Sequence, residues 1–202
     1  VLGEAAQFNL ESSANLKDLK KGLFLKLALK RTDDSPAFLN ADIGFNPVNQ
    51  HLSLVVDAGE PKGGLLGKLI GLHQEEVISA SIKGEGLLRE WKGLINVDAG
   101  KNLWVKGDAT IRPDTADTLT LQTNLKANVK TLLPETLHPL QGKEVVFSST
   151  ASRESSGAIQ LSALKVTGNF GEASAKGKID LPDSKVNLDY FLKVPPTKTI
   201  TS

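Results

Sequence analysis

Apolar and polar side chains alternate along most of this chain. Leu23, Leu25, Leu27 and Leu29 interleave with Phe24, Lys26, Ala28 and Lys30. The same beat runs through Ala37, Leu39, Ala41, Ile43 and Phe45, and again through Val186, Leu188, Tyr190, Leu192 and Val194. Alternate residues of a strand point to opposite faces of a sheet, so this beat writes one apolar face and one polar face. Gly, Pro, Asn and Asp cut the pattern into strands. The first eight are Gln7–Ser12, Gly22–Lys30, Ala37–Asn46, His51–Asp57, Val77–Gly84, Gly93–Ala99, Leu103–Ile111 and Thr118–Val129. The last four are Glu144–Arg153, Ala158–Gly168, Gly171–Leu181 and Lys185–Val194.

Two segments break the beat. In Gly63–Leu72, Leu65, Leu66, Leu69, Ile70 and Leu72 fall at helical spacing, which predicts a short amphipathic helix. Leu132–Leu140 contains Pro134 and Pro139, which forbid a continuous ladder and predict a connector or broken helical turn. Pro195 and Pro196 end regular structure, so residues 1–194 read as one elongated domain and 195–202 as a disordered tail.

Aromatic residues make up only 5% of the chain, whereas sandwich cores usually carry large inward aromatics. The inward positions form an aliphatic lining instead. They are Leu23, Leu25, Leu27, Leu29, Leu39, Ile43, Phe45, Leu52, Leu54, Val56, Ile78, Ile82, Ile95, Val97, Val105, Ile111, Leu119, Leu121, Val145, Phe147, Ile159, Leu161 and Leu188. Each is also readable as core in a closed two-layer fold. The chain resembles itself: GLINVDAGKNLWVKGDATI and LKVTGNFGEASAKGKIDL both run strand, Gly-rich turn and strand through a Lys-Gly pair to Ile. Such repetition predicts an all-β, solenoid-like stack of strands growing along one axis.

Charge is nearly balanced, 24 Lys+Arg against 23 Asp+Glu, and the basic residues fall at alternate strand positions. That is a solvated face, which argues against nucleic acid. The chain has no Cys, so disulfides, thiolate metal sites and cysteine catalysis are excluded; the absence of Met suggests an excerpt from a longer chain. No stretch approaches the ~20 apolar residues of a membrane span. His73 with Glu75 and Glu76 is the one cluster hinting at metal, and its spacing matches no recurrent site. Gly84-x-Gly86 lacks the third Gly of a nucleotide loop and reads as a hairpin turn. Ser148, Ser149, Ser152, Ser155 and Ser156 lie in no nucleophile elbow. No catalytic residue, cofactor or metal site is expected, and the chain does not read as an enzyme.

The segment IKGEGLLREWKG (Ile82–Gly93), continuing into LINVDAGKNLWVKGDATI, resembles the TamB family, the inner-membrane subunit of the translocation and assembly module. These proteins belong with the AsmA-like, bridge-like lipid-transfer proteins. Gly84, Gly86, Trp91 and Gly93 match the family's small turn and Trp-x-Gly step; Leu87 stands where that pattern would place Pro. LLPETLHPLQGKEVVFSST and GEASAKGKIDLPDSKVNLDYFLKV are similar to its connector and its strand return, so the likeness is strongest over Gly63–Val194. The resemblance implies an elongated sheet curled lengthwise into a β-taco trough with an apolar concave face. It further implies a periplasmic segment of an inner-membrane-anchored protein in a Gram-negative envelope. Such a segment would move phospholipid towards the outer membrane and, with an outer-membrane barrel partner, assist outer-membrane protein assembly. Trp91 would then be a structural plug. Alternation itself puts Trp104, on the opposite beat from Leu103 and Val105, on the outer face, either packed under the helix or exposed at a contact with a partner.

A groove has a physical rationale. Carrying an acyl chain of about 16 methylenes through water costs roughly 13 kcal/mol, at ~0.8 kcal/mol per CH₂. Ten to twelve strands at about 4.8 Å make a trough roughly 50 Å long, a link in a longer conduit. Two other readings fit the same alternation: a scaffold that adds client β-strands to an open sheet edge, or a passive β-repeat spacer.

Overall fold

The computed structural model describes residues 7–15, 22–33, 36–64, 67–68, 76–114, 118–154, 156–180 and 184–194. Its first six strands are β1 (Phe8–Asn15), β2 (Leu23–Arg31), β3 (Phe38–Asn46), β4 (His51–Glu60), β5 (Ile78–Leu87) and β6 (Lys92–Asp98). The next six are β7 (Leu103–Pro113), β8 (Leu119–Val129), β9 (Val145–Arg153), β10 (Ile159–Gly168), β11 (Gly171–Asp180) and β12 (Lys185–Lys193). Each segment with two-residue alternation carries one of these strands. They form a single 12-stranded antiparallel sheet in sequence order, with β1 and β12 at its edges. The fold is therefore all-β. The sheet is open and uncurled, where the resemblance implied a lengthwise curl.

Short polar turns make this meander possible. At the β3–β4 turn the Asn46 and Asn49 side-chain oxygens accept from the Val48 and His51 N–H groups at 3.0 and 3.1 Å. Such Asx bonds stand in for the missing ladder. β10 and β11 are joined by Asn169 and Phe170 alone, with Gly171 at φ +108. The connector after β8 is not a strand: two 3₁₀ turns, Lys130–Leu132 and Glu135–Leu137, lead into one helical turn, α1 (His138–Gln141). Gln141 ties it to the sheet. Its Oε1 accepts from the Val129 N–H at 2.8 Å, and its Nε2 donates to Asn128 Oδ1 at 2.8 Å. Gly67 and Lys68 are helical; Leu65, Leu66, Leu69, Ile70 and Leu72 of the expected helix lie outside the described residues, as do residues 195–202.

β10 holds one residue more than its neighbours can pair. Leu161 opposes Ala151 and Gly177, while Leu164 opposes Ser149 and Ala175. Ser162 and Ala163 share the gap against a single residue on either side, and both are exposed. This bulge shifts the phase of alternation, so Ile159 and Leu161 (odd) and Leu164 and Val166 (even) all face one way.

Among the described residues the sheet's core is small, a cluster of Ala99 and Leu103 packed by Ile78 and Val129. Its buried apolar residues are Trp91, Leu103 and the alanines Ala41, Ala99, Ala109 and Ala158, while the larger aliphatics are half-buried or exposed. Substantial contacts join sequence-adjacent strands only. The accessible surface is 13857 Å². A compact monomer of this mass exposes about 9,200 Å².

Candidate functional site: the apolar face

Directly opposed residues of an antiparallel sheet share a face, so the register can be followed from edge to edge. One row runs Ser12, Leu27, Ala41, Val56, Ile82, Ile95, Gly107, Leu125, Phe147, Val166, Ala173 and Leu192, crossing all twelve strands. The row beside it runs Leu10, Leu29, Leu39, Ala58, Ala80, Val97, Val105, Ala127 and Val145. After Ser12 both are free of polar side chains. The register brings every aliphatic and aromatic residue of the expected lining, from Leu23 to Leu188, onto this one face. Among the described residues no second layer covers it.

Alternation alone missed several members of the face. Leu10 and Leu125 sat in strands already recognised. Leu164 and Val166 were hidden by the phase shift at the bulge; the signal was present as two apolar pairs out of step across Ser162-Ala163. Ile179 extends the face on β11, and Val186 and Leu192, already read in the alternation, continue it on β12.

Polar side chains interrupt this face at few places. Thr123 and Ser149 oppose each other on β8 and β9, and their hydroxyls share a hydrogen bond of 2.7 Å. Arg31 and Glu60 lie at one rim, 8% and 3% exposed. Arg31 Nε pairs with Asp33 at 2.6 Å, and Glu60 accepts from the Gly67 N–H at 2.9 Å. Arg153 marks the opposite rim beside Ile159. Inside the first rim, Phe8, Leu29, Leu39, Ala58, Ile78 and Ala80 line a hollow of about 330 Å³.

The Gly-Gly-Trp-Gly set forms one packed unit. Gly84 and Gly93 face each other across β5 and β6, and the indole of Trp91 covers both; a Cβ on either glycine would overlap the ring. Gly86, at φ +143, lies within β5 opposite Leu52, one residue before the strand ends. Trp91 is 5% exposed, and its Nε1–H meets no acceptor among the described residues. Trp104 lies on the other face, opposite Asp98 and Asn128, as alternation requires. The helix expected over it falls outside the described residues.

The polar face is charged and laced across strands. Lys26–Asp42 (3.6 Å), Lys83–Asp57 (3.5 Å) and Lys165–Glu172 (2.7 Å) pair there. Lys178 donates to Glu154 at 2.6 Å, which lowers the Glu154 pKa and raises that of Lys178. Exposed pairs of this kind contribute little stability each, but they keep this face wet. His51 approaches Glu85 at 3.7 Å, and His138 Nε2 lies 3.1 Å from Leu133 O; His73 is not among the described residues. Among those residues no three His, Cys, Asp or Glu side chains form a metal-holding group, and no helix is long and apolar enough to cross a membrane.

Comparison with protein-family models, curated proteins and solved structures finds no match for the chain. The TamB resemblance therefore rests on Gly84, Gly86, Trp91, Gly93 and the segments quoted with them.

Proposed function

We propose that the apolar face shelters the acyl chains of phospholipid, and that the chain is a segment of a longer protein carrying lipid between the inner and outer membranes of a Gram-negative envelope. The observation that carries this reading is the row that crosses all twelve strands, apolar at every strand after Ser12 and without a second layer over it among the described residues. Eleven strand spacings at about 4.8 Å make it roughly 53 Å long. With three or four parallel rows, the face amounts to roughly 1,000 Å², well above the few hundred Å² of apolar patch usual on a soluble monomer. Contact on one side removes about half the hydration cost of an acyl chain, roughly 6 kcal/mol for 16 methylenes. The envelope setting, the barrel partner and the role in outer-membrane protein assembly come from the TamB resemblance alone.

The test is native mass spectrometry of the purified protein, with organic extraction and lipid identification. Wild type is expected to retain phospholipid. Leu25→Arg and Val105→Arg, each placing a charge within the apolar rows, should lose it while keeping a β spectrum. A wild type that stays lipid-free after incubation with lipid would refute the proposal.

A second reading, addition of a client β-strand at an edge, is favoured by β12. All its residues are exposed, and its outer backbone groups pair with no described strand. A Pro placed in β12 would weaken peptide binding and spare lipid.

A further inference from the structure

We propose that Thr123 and Ser149 are the polar station of the apolar face, where the ester carbonyl of a bound glycerophospholipid is held while its acyl chains lie on the aliphatic rows. The inference rests on the lipid-sheltering reading and adds to it the place along the face where the lipid sits. Thr123 on β8 and Ser149 on β9 oppose each other directly. Between the rims, strands β2 to β11 place no other polar side chain on this face among the described residues. The shared hydrogen bond of 2.7 Å spends one O–H. Each hydroxyl carries a donor, so whichever of them donates, the proton of the other is left over. Neither hydroxyl makes a further hydrogen bond among the described residues. An O–H without a protein acceptor, set in an aliphatic surface, is complementary to a ligand that brings one acceptor on a body of hydrocarbon. The ester carbonyl at the head of an acyl chain is such a group.

The surroundings aim a chain at the two hydroxyls. Their row reads Gly84, Gly93, Ala109, Thr123 and Ser149 from β5 to β9, small at every strand. Larger side chains flank the pair, Leu125 and Phe147 in the row on one side and Leu121 in the row on the other. A chain lying in the small row passes between them and over the hydroxyls. Thr123 and Ser149 are only half-buried, so a ligand laid on the sheet reaches them. Trp91 Nε1–H, on the same face, also lacks a partner, but it is buried and its ring is packed down on Gly84 and Gly93. A cross-strand Thr–Ser bond also supports strand pairing. That role is separable, because it does not tell one lipid from another.

The discriminating probe is a pair of phospholipids that differ only in the carbonyl. Dipalmitoyl phosphatidylcholine has two ester carbonyls; dihexadecyl phosphatidylcholine has ether oxygens, much weaker acceptors, on chains of the same length. From an equimolar mixture, read by native mass spectrometry, wild type should retain the ester lipid in about threefold to tenfold excess, the worth of one hydrogen bond. Thr123→Val combined with Ser149→Ala removes both hydroxyls at once and leaves no orphaned partner, so the sheet should stay folded. This variant should still retain lipid but take the two kinds equally. Lipid labelled with ¹³C at its ester carbonyls gives a second readout: the C=O stretch should lie at lower frequency on wild type than on the variant. Equal retention of both lipids by wild type would overturn the proposal and leave the sheltering role standing, as would an ester preference that survives in the double variant. Retention of neither lipid would overturn both.

Discussion

Deleting Ser162 should leave the protein as stable as before or make it more so. Without it, β10 reads Ile159, Gln160, Leu161, Ala163, Leu164, Lys165, Val166, an unbroken alternation. Every remaining residue keeps its partner: Ala163 stays opposite Thr150, Leu164 opposite Ser149 and Ala175, and Leu161 opposite Ala151 and Gly177. The deletion restores one or two ladder hydrogen bonds, worth about 1 kcal/mol each, and removes the ordering of one exposed residue, about 1 kcal/mol. The expected gain is about 1–3 kcal/mol, or a rise of about 2–10 °C in Tm at this chain length. Deleting Ser53 from β4, which has no bulge, is the control. Leu54, Val56 and Ala58 would turn to the polar face, and Val55 and Asp57 to the apolar one. At half-buried positions each misplaced Leu or Val forfeits ~1 kcal/mol, so this variant should lose about 3 kcal/mol or more once Asp57 is counted. Thermal and urea unfolding followed by circular dichroism measure both. If loss of Ser162 costs as much as loss of Ser53, the bulge is not a passive absorber of an extra residue. It would then set a bend that the sheet needs.

Two further outcomes follow from other parts of the sheet. Trp91→Ala should cost about 3–5 kcal/mol, since the indole is the cover of Gly84 and Gly93. Trp91→Phe should recover most of that loss because it also removes an unpartnered N–H, and urea titration separates the two. The Glu154–Lys178 pair should stabilise the fold only between its two titrations. The lowered Glu154 pKa gives a contribution present above the ordinary carboxylate value and lost as pH falls through the folded one. The raised Lys178 pKa gives a contribution present below 10.5 and lost as pH rises through the folded value. Lys178→Met should therefore flatten the stability profile at both ends, and 1 M salt should shrink the effect in wild type.

The strands were legible because each carries its own two-residue beat and its own turn signals. Leu23 to Leu29 and Val186 to Val194 could be assigned without reference to the rest of the chain. Strand order was not legible, since alternation fixes which way a side chain faces and not which strand lies beside it. The sequence-order meander follows from short links such as Asn169-Phe170, and α1 replaces a ladder where Pro134 and Pro139 forbid one. The face of Trp104 could be read from its neighbours Leu103 and Val105. The cover over Gly84 and Gly93 could not be read from spacing alone. It depends on β5 and β6 pairing so that both glycines fall under one ring. Leu164 and Val166 were lost for a related reason, because the bulge is a property of β9, β10 and β11 together.

The apolar face, over which the described residues place no second layer, is the feature that any account of this protein must explain. A closed two-layer fold would divide the strands between two sheets and bury both inner faces. Here all twelve strands are spent on one layer, and the reverse side, with Lys26, Asp42, Lys83, Asp57, Lys165 and Glu172, is unsuited to pack against a copy of the apolar side. Whatever covers the aliphatic rows must therefore come from outside the described residues. Leu25→Arg tells the possible covers apart. A mobile acyl chain tolerates an added charge by leaving, and the sheet keeps its ladder bonds. A protein layer packed on Leu25 would be left with a buried unpaired charge, costing several kcal/mol and unfolding with it. A folded, lipid-free variant would identify the cover as a ligand; an unfolded one would identify it as part of a core.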